Sequence, residues 1–314
     1  MVRPEALAVT ILLTMLAALG PISTDLYLPA LPTLQVFFEA DVATVQLTLS
    51  VYLVAFAVCQ IIYGPLSDRY GRRPVLILGT CIYFLGSVVC MLAGTIEMLV
   101  AGRFLQALGG CAGVVLARTV IRDVYGMRRA AKLMSYMGTA MALAPALGPI
   151  IGGFLTVAFG WQANFVILTV YGGLCMIGVC FLLRETNQNM DPNAVRPRQM
   201  LRNFADLLSH RAYTGYLLCC TFSYSGLFAF ISGSSFVFIQ VFGLSADQYG
   251  FCFAAAVVGY MTGTQIGGRA VGRFGIPALV LWGTLVNAAS GAAMLGLALS
   301  GMDHFLAVLL PLVL

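Results

Sequence analysis

Gly64-Pro65-Leu66-Ser67-Asp68-Arg69-Tyr70-Gly71-Arg72-Arg73 is the polar junction between two almost wholly apolar stretches, residues 44–66 and 75–96. A helix needs about 20 apolar residues to cross a hydrocarbon core of about 30 Å, and each flanking stretch is that long. Gly71 permits a tight turn between two spans, Gly64 allows close helix approach, and the arginines hold the junction in water. The same reading applied outward finds further apolar windows at 6–28, 98–120, 133–158 and 162–183, then at 213–238, 247–268 and 277–299. A tenth begins near 303 and reaches only Leu314, so the chain is expected to be a fragment that stops within that span.

Composition agrees with the windows. Of 314 residues 60% are hydrophobic and 9% charged, with a mean hydropathy of +0.94, against roughly 25% charge in a soluble domain. That excludes a soluble enzyme, a disordered chain and a nucleic-acid binder, and leaves an all-α polytopic membrane protein. With the N-terminus in the cytoplasm, sixteen of the seventeen Lys and Arg fall on the inner side and the outer loops carry only acids, as the positive-inside rule requires. The first window lacks a small-residue cleavage site and is read as a retained span. The nine cysteines all lie in apolar stretches without CxxC spacing and read as small buried hydrophobes.

The segment from Arg184 to Arg211 carries Asn, Asp, Pro and Arg and reads as a cytoplasmic linker without apolar periodicity. It divides the chain into residues 1–183, a six-helix bundle; 184–212, the linker; and 213–314, an incomplete second bundle. An internal repeat supports the division. Gly268-Arg269-Ala270-Val271-Gly272-Arg273-Phe274-Gly275 follows the eighth window as Gly64 to Gly71 follows the second, at an offset of 204 residues that also superposes windows one to three on seven to nine. Two parallel halves of a transporter give such a pattern.

Apart from Arg118 and Asp247 at window ends, two charged residues fall inside windows, Asp25 and Arg103. A charge near the bilayer centre costs about 2.5–3.5 kcal/mol or more, so such groups face a cavity or a partner and mark ion pathways. Pro21 and Pro29 flank Asp25 at i−4 and i+4 and open the helix locally. A carboxylate there, meeting an arginine when a cavity closes around both, is what a proton-coupling switch requires. Asp68, at the mouth of the bundle, can pair with arginine and cap a helix N-terminus of the other half, latching one conformation. Gly148, Gly152 and Gly153 leave span five bare for a neighbour, and Pro149 bends it. Candidate cavity residues are Tyr27, Gln60, Tyr63, Gln106, Tyr224 and Phe228, the last two from an aromatic-rich span seven. No Walker loop is present, and the two histidines, His210 and His304, lie alone in loops.

The decapeptide at 64–73 resembles the loop 2–3 signature of the major facilitator superfamily, and Leu99-x-x-x-Arg103-x-x-Gln106 resembles its second signature. Gly148-Pro149-x-x-Gly152-Gly153 is similar to the antiporter motif of its drug-exporting branch. Ser23-x-Asp25-Leu-Tyr-Leu-Pro-Ala-Leu-Pro32 and Arg184-Glu185-Thr186 resemble the bicyclomycin-resistance (Bcr/CflA) drug:proton antiporters. The resemblance implies two six-helix bundles, alternating access, and proton-driven export of small amphipathic compounds from the cytoplasm across the inner membrane. It implies a monomer in the bilayer with no nucleic-acid partner and no cofactor beyond the proton gradient. It assigns Asp25 and Arg103 to coupling, and Asp68, Arg72 and Asp123 to a charge relay beside Gly64, Arg69, Gly71 and Arg73. The sequence departs from the family at Ala107 and Ala144, where glycine is usual, and its second-half loop has Gly272 where the first has Asp68. The alternatives are a metabolite symporter or uniporter on the same fold, and a polytopic membrane enzyme.

Overall fold

The computed structural model describes residues 7–300 apart from 126, 193 and 196, so the window expected near 303 lies outside the described residues. The elements are helical: α1 (Leu7–Asp25), α2 (Leu31–Phe37), α3 (Val42–Tyr70), α4 (Arg72–Met91), α5 (Ile96–Val124), α6 (Met127–Phe159), α7 (Gln162–Leu182), α8 (Pro197–Ser209), α9 (Arg211–Phe236) and α10 (Ala246–Leu299). Seven stretches among the described residues are long and apolar enough to cross a membrane. In lipid, a helix satisfies every backbone group internally.

Three boundaries differ from the sequence reading. The first span does not end near residue 28: α1 stops at Asp25, a 3-10 turn covers Leu28–Ala30, and α2 continues to Phe37. Pro29 and Pro32 each sit at the start of a new helical piece, where a missing N–H does no harm. The eighth and ninth windows form one element, α10, broken only at Gly275. That glycine has φ 76° and ψ 163°, and Gly71, 204 residues earlier, has φ 96° and ψ 155°. Both positions of the repeat therefore use the same glycine-only conformation. The third difference concerns the linker, read as lacking apolar periodicity: it contains α8, where Phe204, Leu207 and Leu208 recur at helical spacing.

The core forms where α1, α4, α5 and α7 meet, with Leu13, Leu16, Leu76, Tyr83, Leu116 and Val179 buried together. A second cluster gathers Tyr27, Leu31, Leu34, Phe165, Phe238 and Tyr249. Small residues set these distances, as expected where lipid removes the hydrophobic drive between helices. A Cβ on Gly109 of α5 would lie 2.1 Å from the Tyr83 nitrogen of α4, and one on Gly86 of α4 would lie 2.4 Å from the Gln106 nitrogen. α10 packs on α6 through its first turns, where Tyr249, Phe253 and Val257 are buried; farther along, Trp282, Leu285 and Leu295 are exposed. The nine cysteines are free thiols, and Cys220 on α9 is exposed where burial was expected.

Candidate functional site

α1 ends inside the bundle, and its last carbonyls lack intrahelical partners. Arg103 of α5 fills that place: its Nη1 donates to the Ser23 carbonyl at 2.9 Å and to Gln106 Oε1. The guanidinium carbon lies 4.2 Å from the ring centroid of Tyr27 and 4.2 Å from that of Tyr52. Two aromatic faces and the negative end of a helix dipole thus hold a fully buried cation, each desolvated ring contributing roughly 2 kcal/mol. Among the described residues, the Nε and Nη2 groups of Arg103, and the Tyr52 hydroxyl, have no hydrogen-bond partner.

A polar layer extends from this cation. Gln106 Nε2 donates to Ser87 Oγ at 2.8 Å, and Ser87 donates to the Tyr83 carbonyl at 2.9 Å. The Tyr83 and Ser23 hydroxyls are 2.7 Å apart, and those of Tyr27 and Thr48 are 3.3 Å apart. Buried polar networks of this kind fix one arrangement when satisfied and invite rearrangement where they are not. Sequence reading had assigned no role to Tyr52, Tyr83, Thr48 or Ser87; their only signal was their polarity within apolar windows.

Asp25 is the last residue of α1, 3% exposed, and accepts a hydrogen bond from the Thr24 hydroxyl at 3.1 Å. It shares this layer with Arg103, whose bond to Ser23 is two residues away, yet the two charges form no ion pair here. The glycines of α6 press against the same place. A Cβ on Gly148 would lie 3.1 Å from the Asp25 Cβ, and one on Gly152 would lie 1.7 Å from the Leu26 oxygen. Gly153 faces the other way, where a Cβ would meet the Ala246 oxygen of α10 at 2.3 Å. The Gly148-Pro149-x-x-Gly152-Gly153 motif therefore joins the break after α1 to the first turn of α10.

At one end of the bundle the side chains of Asp68, Arg72 and Asp123 meet. Arg72 donates through Nη1 to Asp68 at 2.5 Å and through Nε to Asp123 at 3.0 Å, a fork that only a guanidinium supplies. The sequence reading did not assign Glu185 to the relay. Its carboxylate accepts the backbone N–H of Arg72 at 2.9 Å and of Arg73 at 3.1 Å, capping α4 from the segment after α7, because Gly71 has no side chain to do so. Asn187 Nδ2 donates to the Ser67 and Asp68 carbonyls, and Arg73 Nη2 to that of Cys180. Arg69 lies over the ring of its neighbour Tyr70. The close approach expected at Gly64 is absent: a Cβ there meets nothing within 4 Å, since no helix among the described residues covers that face of α3. The helix N-terminus expected opposite Asp68 lies outside the described residues.

The six candidate cavity residues are not brought together. Tyr27 and Gln106 belong to the Arg103 layer, and Tyr63 donates to the Leu108 carbonyl at 2.8 Å, tying α3 to α5. Gln60 is exposed on α3. Tyr224 is exposed on α9, with the Phe228 ring at 6.4 Å. Tyr27 follows α1, Gln60 and Tyr63 lie on α3, Gln106 on α5, and Tyr224 and Phe228 on α9, so no single helix face gathers them.

The Major Facilitator Superfamily model matches residues 13–314. The uncharacterized MFS-type transporter YdgK of Bacillus subtilis is 35% identical over 275 residues, 86% of this chain and 67% of its own length. The bicyclomycin resistance protein homolog of Haemophilus influenzae is 30% identical over 279 residues, 89% of this chain and 70% of that one. Multidrug resistance protein D of Escherichia coli is 28% identical over 286 residues, 91% and 71% respectively. Among solved structures, the D-xylose-proton symporter superposes with a TM-score of 0.71 at 16% identity, over 98% of this chain and 78% of that one. A bacterial homolog of the human lysosomal transporter Spinster, inward-facing and unoccupied, gives 0.70 at 19% identity, over 98% and 70%. These two likenesses speak for the fold.

Proposed function

The chain belongs to the major facilitator superfamily, a family of membrane transporters rather than enzymes, and from that premise we propose that it is a proton-coupled exporter of small amphipathic compounds. The observation that carries the reading is the Arg103 layer. A buried guanidinium with two open N–H groups lies beside a helix break that ends in Asp25. Asp25 takes up a proton where the site is open to water and, on closure, delivers its carboxylate to those N–H groups, so that proton release and substrate release alternate. The bicyclomycin- and multidrug-resistance relatives favour export of drug-like molecules over metabolite uptake. The chain's own arginine pattern favours a cytoplasmic N-terminus in the inner membrane. The relay of Asp68, Arg72 and Asp123 then lies on the cytoplasmic side and holds one of the two access states, with the halves 1–183 and 213–314 rocking about the junction of α6 and α10.

The test is Asp25→Asn in the full-length protein, assayed in everted vesicles with and without a pH gradient. Gradient-driven accumulation of substrate is expected to vanish while membrane insertion and downhill exchange persist. Unchanged gradient-driven accumulation would remove Asp25 from coupling.

A further inference from the structure

Helix α8 (Pro197–Ser209) lies in the stretch that reads as a linker, and the transport cycle proposed above gives it no part. Phe204, Leu207 and Leu208 stand at i, i+3 and i+4 and are 42%, 44% and 52% exposed, while Arg202 and Asp206 occupy the opposite face by helical phase. The sequence repeats the apolar spacing one turn earlier at Met200 and Leu201. Thirteen residues make a rod of about 20 Å, too short to cross a bilayer.

Its position is fixed by a one-residue elbow. His210 N–H donates to the Leu207 carbonyl at 3.2 Å, the Thr214 N–H to the His210 carbonyl at 3.0 Å, and the Thr214 hydroxyl to the Leu208 carbonyl at 2.7 Å. α9 starts at Arg211, so α8 is pinned at the level where that span meets water. Tyr213 and Tyr216, exposed in the first turns of α9, are the residue type that gathers at this boundary. Between residues 196 and 211 the chain carries four arginines and one aspartate.

We propose that α8 lies in the plane of the membrane surface, with Phe204, Leu207 and Leu208 among the upper acyl carbons and its arginines on anionic phospholipid headgroups. Apolar burial holds the helix down. Each arginine near an anionic surface adds about fivefold to the ratio of docked to undocked helix.

The experiment places a reporter on the face by Phe204→Trp, with Leu208→Trp as a second variant should the first fold poorly. The full-length protein is reconstituted in phosphatidylcholine vesicles with and without phosphatidylglycerol. The emission added over the parent protein is expected to be blue-shifted and quenched by lipids brominated near the headgroup end of the chains, more strongly with phosphatidylglycerol. Adding Arg202→Gln and Arg211→Gln should weaken the phosphatidylglycerol dependence, and Leu207→Glu should remove the quenching. Two outcomes overturn the proposal. Emission like that of a tryptophan in water in both lipid mixtures leaves α8 undocked. A blue shift insensitive to brominated lipid means that protein, either a second copy or another part of the chain, covers the face instead.

Discussion

Gly152→Ala tests whether the approach of α6 to the break after α1 sets the transport site. A Cβ built on Gly152 lies 1.7 Å from the Leu26 carbonyl oxygen and 2.8 Å from its carbon. Ordinary contact begins at 3.4 Å, so the new methyl and the carbonyl need about 1.7 Å more room. The new methyl meets a backbone carbonyl, so no rotamer change relieves the clash, and α6 and the Leu26–Tyr27 peptide must separate. Overpacking of this kind costs roughly 1–3 kcal/mol, and a shift of that size also moves Asp25 relative to Arg103. Thermal unfolding of the purified protein in detergent and gradient-driven transport in proteoliposomes are the two readouts. Gly138→Ala, at an exposed position of the same helix where a Cβ meets nothing within 4 Å, is the control and should be neutral or stabilising by up to about 1 kcal/mol. The expected result is a destabilised Gly152→Ala protein with strongly reduced transport beside a normal Gly138→Ala protein. Parent-like melting and transport for Gly152→Ala would refute the close-approach argument.

Three further outcomes follow from the junction of α3 and α4 and from the start of α3. Glu185→Ala removes the cap on α4 and should cost roughly 0.5–1 kcal/mol, read as a lower melting temperature, whereas Glu185→Gln retains an acceptor and should recover part of the loss. Asp68→Ala deprives Arg72 of one arm of its fork and should slow transport with little change in substrate affinity; spectroscopic distances across the bundle should report a shifted conformational balance, and unchanged populations with collapsed binding would contradict it. Asp41 caps α3, and the Thr44 side chain first, then its backbone N–H, hold the Asp41 carboxyl below the usual carboxylate range. A lowered folded-state value means that the contribution is present above the ordinary range and is lost as pH falls through the folded value. Melting compared at neutral and acid pH should therefore show less acid sensitivity in Asp41→Asn, which still caps the helix.

The sequence alone determined the class of molecule, because apolar windows of spanning length and scarce charge leave a chain no soluble alternative. It also determined the repeat: the 204-residue offset reappears as matching backbone at Gly71 and Gly275, since a turn that only glycine can make leaves a mark in the sequence. The grouping of Asp68, Arg72 and Asp123 was implied by the resemblance of the 64–73 loop to its family signature; no local spacing announces it, since Asp123 lies 51 residues from Arg72. Other features were decided by the tertiary structure. Gln60 and Gln106 look alike in a one-dimensional reading, and only helical phase puts one outside and the other against Arg103. Glu185 lies 113 residues from the Arg72 nitrogen it caps, a contact that no local pattern announces. Asp25 and Arg103 were singled out as a pair, yet what holds Arg103 is the carbonyl of Ser23, Gln106 and the faces of Tyr27 and Tyr52. A buried cation takes whatever acceptors and ring faces the packed helices bring within reach, and that geometry exists only once α1, α3 and α5 have closed around it.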